Sequence, residues 1–349
     1  MPRSRLSSTR LPAPSALSSK KSKLIKPRNK GKLCATPFDV LAVSDMCVDV
    51  VLTGNVRPQF HQVEQVIGDC SLELGGSANI FAAQLAKLGA HAGVLGWIGK
   101  DFFGDFCLRQ LKDCCVDTAW VRRHPDLKTG IGFALAEPDD RAILTYMGTI
   151  DATQPAHLHK NILTTCRHWH IASFFLLTSL RSSWHSWLRK CRSSGVTTSL
   201  DTNWDPQNQW TGVLELLPHV DIFFPNEAEA LAITRSSDVY CAAKTLAASG
   251  SLIVLKRGEK GVLVQHGERS WELPPITIDA KPLKIIDSTG AGDNFDAGFL
   301  HAWLNGKNIE ASVQLGQRCA VSSLAALGGI RGQLKQKSIP RKNTKAGGK

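Results

Sequence analysis

The heptapeptide Asp287-Ser288-Thr289-Gly290-Ala291-Gly292-Asp293 follows an apolar segment at 283–286 and opens a run, 294–305, that reads as a helix. Gly290 and Gly292 carry no Cβ, so the backbone can turn tightly and successive N–H groups can converge on an anion at a helix N-terminus. A Gly-Ala-Gly turn by itself also serves merely to join a strand to a helix. Here, however, acids stand at both ends. Asp293 places a carboxylate where it can take a proton from an alcohol, while the N–H groups of Gly290, Ala291 and Gly292 hold the negative charge that develops on a phosphoryl group. The implied chemistry is phosphoryl transfer to a hydroxyl.

The same heptapeptide resembles the C-terminal signature of the ribokinase-like (PfkB) carbohydrate kinases. Gly75-Gly76-Ser77-Ala78-Asn79, with Gly96-Trp97-Ile98-Gly99-Lys100-Asp101, resembles their N-terminal one. The similarity runs from about Phe38 to Ile330, and two signatures in this order, about two hundred residues apart, are specific to the family but not to one substrate. The resemblance implies an α/β fold, a three-layer α/β/α core with a mostly parallel sheet and a small β-lid. It also implies Mg-ATP as phosphoryl donor.

The 349-residue chain is longer than a typical single domain, yet α/β folds of this length are often one core with a small appendage. Its net charge of +12 is unevenly spread: residues 1–36 carry ten Lys/Arg and 331–349 carry seven, with no acid in either. The remaining 25 basic residues face all 30 acidic ones, leaving about −5 between the tails. Basicity belongs to the tails, and the core gives no electrostatic argument for nucleic acid. Ten cysteines without a Cys-x-x-Cys pair argue against a disulfide framework or a zinc site and for a reducing compartment. No apolar run approaches the ~20 residues of a bilayer-spanning helix. Residues 1–36 lack acids and any sustained period, which predicts a disordered extension and fits an organelle transit peptide equally well. The compartment is accordingly cytoplasmic, or plastid or mitochondrial in the second case. The tail from 331 is also read as disordered, which leaves 37–330 as the domain.

Asp39-Val40-Leu41-Ala42-Val43 reads as a buried first strand with 44–49 as its exit. Residues 51–74 and 129–148 read as short strands outside the main sheet, the lid of the family. A helix after Gly76 ends at Gly89, strands are predicted at 92–98, 169–177, 197–200, 220–224 and 252–255, and a helix over 184–191 presents Trp184, Trp187 and Leu188 to the core. Residues 262–265 and 271–275 read as antiparallel edge strands, and 311–327 as a final helix. The pairs His157/His159 and His168/His170 lack partners at ligand spacing and are read as surface or strand-end histidines.

The resemblance assigns site residues. Asp49 lies where relatives bind substrate hydroxyls, although Cys47 stands where many carry Asn. Gly75, Gly76 and Asn79 fall in the sugar-binding turn, where Ser77 or Asn79 would equally serve as a helix cap. Gly99 and Asp101 support it. Asn203, in Asp201-Thr202-Asn203, falls near substrate or phosphate beyond a strand's C-terminal end, and Asp205 is read as a turn residue. Asn226 and Glu229 match the Asn-x-x-Glu element that organises Mg²⁺ through water, a spacing that also suits a capped acidic helix start. Lys256, Gly258 and Gly261 resemble the nucleotide loop, in which the glycines make room for adenosine while Lys256 and Lys260 are read as solvated. Asp287 corresponds to an acid that helps hold a monovalent cation such as K⁺.

These assignments converge on ATP-dependent phosphorylation of a sugar or related polyol, with a helix N-terminus lowering the pKa of Asp293. A nucleoside kinase of the same fold and a catalytically silent kinase-like regulator are the alternatives within the fold, and a protein bound to nucleic acid through its basic tails is a third. A homodimer joined through lid strands is the family's expectation.

Overall fold

The computed structural model describes residues 38–137, 141–276 and 285–335. The readings for residues 1–36, 283–284 and 336–349 lie outside them. In chain order the strands are β1 (Phe38–Val43), β2 (Cys47–Thr53), β3 (Asp69–Gly75), β4 (Ala92–Ile98), β5 (Asp117–Arg123), β6 (Gly130–Ala136), β7 (Arg141–Tyr146), β8 (Cys166–Ile171), β9 (Thr197–Leu200), β10 (Ile222–Phe223), β11 (Leu252–Lys256), β12 (Val262–His266) and β13 (Arg269–Leu273). The helices are α1 (Ser77–Lys87), α2 (Phe102–Asp113), α3 (Lys160–Leu163), α4 (Arg181–Ser193), α5 (Val213–Leu216), α6 (Glu227–Thr234), α7 (Val239–Ala247), α8 (Ala291–Leu304) and α9 (Ile309–Ser323).

Nine strands form one sheet in the order β13-β12-β11-β10-β9-β8-β1-β4-β5, parallel throughout except for antiparallel β12 and β13 at one edge. The central strands are apolar on both faces, as strands covered by helices on either side must be. One face packs Trp169, Phe223 and Ile253 against α4, α6 and α7. In α4 the buried residues Trp184, Trp187, Leu188 and Cys191 recur at helical spacing and make a single stripe. The other face packs Val40, Val94 and Val254 against α1, α2, α8 and α9. α8 is buried nearly all round because it is sandwiched by α1 and α9. Gly298 and Gly316 permit that contact: a Cβ on Gly298 would stand 2.7 Å from the Leu315 carbonyl oxygen, and one on Gly316 2.8 Å from that of Phe295.

A four-stranded second sheet, β3-β2-β6-β7, leaves the main sheet at the end of β1. The second half of the exit read at 44–49 is therefore strand: β2 begins at Cys47 because Asp49 and its neighbours pair with both β3 and β6. Other boundaries also move. The strand read at 169–177 stops at Ile171, where Ser173 takes a left-handed conformation (φ 52°). That read at 220–224 shrinks to two residues. α8 begins at Ala291, three residues before the sequence reading placed it, and α9 spans Ile309–Ser323 rather than 311–327. The tail read as disordered from 331 is packed against α1 as far as 335: the Gln333 side chain donates to the Ile80 carbonyl and the Asn294 amide oxygen, and Gln84 donates to the Leu334 carbonyl, each at 2.8 Å. Among the described residues no helix is long and apolar enough to cross a membrane.

His168 and His170 correct the surface reading. Both point into the core from β8, satisfied by β9 hydroxyls: His168 pairs with Thr197 at 2.8 Å and Ser199 at 2.7 Å, and His170 with Ser199 at 2.8 Å. Burial pushes their pKa down, that of His170 to about 3. Both are thus neutral in the fold, whereas the unfolded chain takes up their protons near pH 6.5. Their contribution to stability is therefore lost as pH falls below that value. Carboxyls with raised pKa, such as Asp49, work in the opposite direction. The imidazole part is isolated by His170→Asn, whose loss of unfolding free energy between pH 7 and 5 should be smaller than that of the wild type by about 2 kcal/mol. Equal losses in urea titrations at the two pH values would show that His170 is not held neutral.

Candidate active site

The C-terminal ends of β1, β8, β9, β10 and β11 open on one side of the sheet, where an open α/β fold places its ligands. α8 and α1 point their N-termini at the same place. Gly290 caps α8 in a left-handed conformation (φ 71°), packed so closely that a Cβ would meet Ile80 at 2.8 Å. The first turn of a helix leaves its N–H groups without intrahelical acceptors, so those of Gly292 and Asp293 are donors for an anion. The Asp287 carboxylate holds this turn from behind: it accepts from Thr289 N–H at 2.8 Å, Thr289 Oγ1 at 2.7 Å and Gly328 N–H at 2.8 Å.

Beneath the turn lies a buried ion cluster. Lys256 Nζ, at the end of β11, sits 2.7 Å from Asp201 Oδ2 and 3.1 Å from Asp296 Oδ1. Its side chain is only 15% exposed, which overturns the reading of Lys256 as solvated. Burial opposes its charge, but Asp201, Asp296 and Glu229 outweigh burial and raise its pKa. Burial likewise pushes Asp201 up, yet Lys256 and a hydrogen bond from Asp296 hold it below the usual carboxylate range. Asp296, driven well above that range by burial, keeps the proton it shares. The cluster is thus one ammonium, one carboxylate and one carboxylic acid. A Cβ on Gly292 would come within 3.3 Å of Lys256 Nζ, so the ammonium lies directly under the anion turn.

Asp293 is buried in the first turn of α8. The helix N-terminus was expected to lower its pKa, but the direction is the reverse. Burial, with Asp201 and Asp45 adding negative charge, raises it well above the ordinary aspartate value despite Lys256 and a hydrogen bond to Ser77. Ser77 leads to a polar cluster on the far side. Asn203, left-handed at φ 53°, donates from its amide to Ser77 Oγ at 2.5 Å and Ser173 Oγ at 2.8 Å, and Ser173 donates to Asp45 at 2.6 Å. Asp45 also accepts from the N–H groups of Ser77 and Ala78, so it caps α1 from outside. Two left-handed non-glycine residues beside one cleft are backbone strain of the kind that clusters at functional sites.

Asp49 sits on β2 with its carboxylate against the Cα atoms of Gly75 and Gly132, where a side chain on either glycine would collide with it. Burial and Asp45 raise its pKa to about 7 against the pull of Arg141. Asn79 is fully buried. Its amide accepts from Ser44 Oγ at 2.7 Å and donates to the Gly75 carbonyl at 2.8 Å, so it shapes the Gly75–Gly76 turn instead of facing a ligand. Asp101 caps α2 and accepts from Thr129 N–H and Oγ1, fixing the start of β6. Asp205 accepts from the N–H groups of Gln207, Gln209 and Trp210, as a turn residue should.

Asn226 and Glu229 form a reciprocal capping box on α6, with bonds of 2.8 and 2.9 Å. Burial and Asp201 raise Glu229 to about 7. In the loop after β11, Gly258 has open space around it, whereas Gly261 is needed for contact with β13: a Cβ there would strike the Leu273 carbonyl. Lys260 pairs with Glu227 at 3.1 Å.

Sequence reasoning missed Asp45, Ser173 and Arg141. Asp45 stands four residues before Asp49, and the helix it caps begins 32 residues later, so only the folded turn reveals it. Arg141 Nη1 donates to Thr289 Oγ1 at 3.0 Å and ties β7 to the anion turn.

The family pattern described as "pfkB family carbohydrate kinase" matches residues 38–336. The chain belongs to this family. It is a phosphotransferase with an alcohol acceptor, and the family's reaction uses ATP with Mg²⁺. Among similar proteins, the ATP-dependent ribose-1-phosphate kinase of Halopiger xanaduensis is 29% identical over 246 residues, covering 70% of this chain and 78% of that one. The cytidine kinase of Thermococcus kodakarensis is 31% identical over 245 residues, 69% and 84%. A putative ribokinase II from E. coli, solved in complex with ATP and Mg²⁺, superposes with TM-score 0.74 at 20% identity, over 85% of this chain and 96% of that one.

Removing the central cation should expose the cost of the buried carboxyls. Lys256→Met is expected to lose about 3–5 kcal/mol of unfolding free energy in urea, and Lys256→Met/Asp201→Asn to regain part of it. A loss below about 1 kcal/mol for the single variant would show that the cluster does not hold the strand ends.

Proposed function

We propose that Asp293 is the general base of phosphoryl transfer to a sugar or polyol hydroxyl, and that the Gly290-Ala291-Gly292 turn is its anion hole, with the N–H groups of Gly292 and Asp293 as donors while that of Ala291 bonds the Ser288 carbonyl at 3.3 Å. The observation that carries this reading is the link through Ser77, which joins Asp293 to Asn203 on the acceptor side while its backbone belongs to the anion turn. A carboxyl with a raised pKa is the stronger base and becomes competent only as pH rises through that pKa. Asp49 and Asn203 orient the acceptor, whereas Asn79 only shapes the turn beneath it. The missing side chains of Gly75 and Gly76 make room for the Asp49 carboxylate and the Asp45 carbonyl, which brings the acceptor-side groups up against this turn.

The donor set suits a magnesium nucleotide: helix N–H groups and an ammonium for phosphate oxygens, hard carboxylate oxygen for the metal. When bound, Mg²⁺ neutralises charge on the phosphates. Glu229, oriented by Asn226, would hold its water shell, Lys256 would support the phosphates from below, and the turn at Gly258 would admit the nucleoside, with Gly261 keeping β13 in place. Asp287 braces the anion turn, and K⁺ near it would add to that bracing. The second sheet would close as a lid and exclude water from the transferring group. β7 is an edge strand with Ile143, Leu144 and Tyr146 exposed, which favours pairing with a second copy. A nucleoside acceptor is the second reading, favoured by the exposed indole of Trp204 beside Asn203, a flat face for a base.

ADP release with Mg-ATP and K⁺, across ketoses, aldoses, sugar acids and nucleosides, tests the proposal. Asp293→Asn should lower kcat at least ~10²-fold while acceptor binding persists. In the wild type, kcat/KM should rise with pH through an apparent pKa above the ordinary aspartate range. Unchanged turnover in the variant would remove Asp293 from the base role.

A further inference from the structure

A cavity of about 320 Å³ lies at the open edge of the main sheet, sharing no residue with the carboxylate site. Its floor is made by the facing positions of β4 and β5, where Leu95 pairs with Trp120 and Trp97 with Arg122. Because side chains alternate along a strand, the two indoles and the guanidinium emerge on the same face. His157 and His159, in the segment that follows β7, complete the lining. The Trp97 and His157 rings lie 4.9 Å apart.

The chemistry of this lining is one-sided. Arg122 has no carboxylate partner among the described residues, and no carboxylate lines the cavity. His157 Nδ1 accepts from Gln154 N–H at 2.9 Å, which leaves the proton on Nε2 as a donor. Burial first, then Arg122 and His159, push the His157 pKa down and keep the ring neutral at pH 7. Two indoles in the lining with cationic and donor groups beside them favour a planar ring that carries negative charge, and the volume falls in the range of small-molecule sites.

We propose that this cavity is a second small-molecule site that takes a flat organic anion, its ring against Trp97 and Trp120 and its charged group on Arg122 and the histidines. Its walls include two of the segments that join the second sheet to the main one, β5, which leads into β6, and the chain that follows β7. Beyond Trp97, Gly99 and Asp101 grip Thr129 at the start of β6, and Arg123, next to Arg122, donates to the Gly99 carbonyl. The opposite wall descends directly from β7. A ligand that bridges the walls would tie the start of β6 to the chain that follows β7.

The test is a titration of the full-length chain, labelled with 5-fluorotryptophan, with 2-naphthoate and in parallel with neutral 2-naphthylmethanol, the Trp97 and Trp120 fluorine resonances being assigned from Trp97→Phe and Trp120→Phe. Both resonances should shift saturably with naphthoate. Affinity should fall at least ~10-fold for the alcohol and for Arg122→Gln, the worth of one charge-assisted hydrogen bond. His159→Gln serves if Arg122→Gln does not fold. Resonances that do not move, shifts that never saturate, or equal affinity for acid and alcohol would overturn the site. Amide exchange over 129–136 should slow on saturation, and unchanged exchange would overturn the coupling to the second sheet.

Discussion

The contact of Lys256 with Asp201 and Asp296 joins three elements that are distant in sequence, the ends of β9 and β11 and the first turns of α8. A buried ammonium is tolerable only with opposite charge beside it, and two buried carboxyls only with a cation or a proton between them. Each member is therefore fixed by the others, and with them the height of the anion turn above the sheet. Burial raises the Asp293 pKa first, and the cluster acts on it in both directions: Asp201 adds to the rise and Lys256 opposes it. The site's electrostatics and the register of the strand ends are one constraint.

The same logic explains why carboxyls gather at the cleft with such different protonation. Asp201 ionises readily because it touches the ammonium, whereas Asp49 and Glu229 lie farther from positive charge and are each pushed to about 7. Bringing a cation into the cleft would favour the ionised form of all of them. Carboxyl charge that burial disfavours is charge that Mg²⁺ would offset.

Much of this was legible in the sequence because local pattern and global fold agree. Apolar runs mark β1, β4 and β11, the spacing of Trp184, Trp187 and Leu188 marks α4, and the glycines of the 287–293 turn permit only a few backbone shapes. What escaped was whatever depends on residues far apart in the chain. Lys256 looks like any exposed cation until Asp201 and Asp296 are seen around it. His168 and His170 look like surface histidines until the hydroxyls of β9 are in register. Asn79 is assigned to the sugar by its place in the family signature, yet its amide is engaged by Ser44 and the Gly75 carbonyl. The sign of the Asp293 shift was misjudged for a similar reason: the helix N-terminus is visible in the sequence, while the depth of burial and the other carboxyls are not.

The packing of residues 331–335 has a consequence for how the chain is made. Gln333 and Leu334 are bonded to α1 residues some 250 positions earlier, and Arg331 pairs with Glu73 at 3.0 Å. A ribosome delivers α1 long before it delivers these partners, and contacts this remote close slowly. During synthesis the helix that carries the Gly75–Gly76 turn must wait half-clothed, its backbone and amide groups served by water. A nascent chain that stops short of residue 331 has every strand of both sheets but lacks the segment that seals α1.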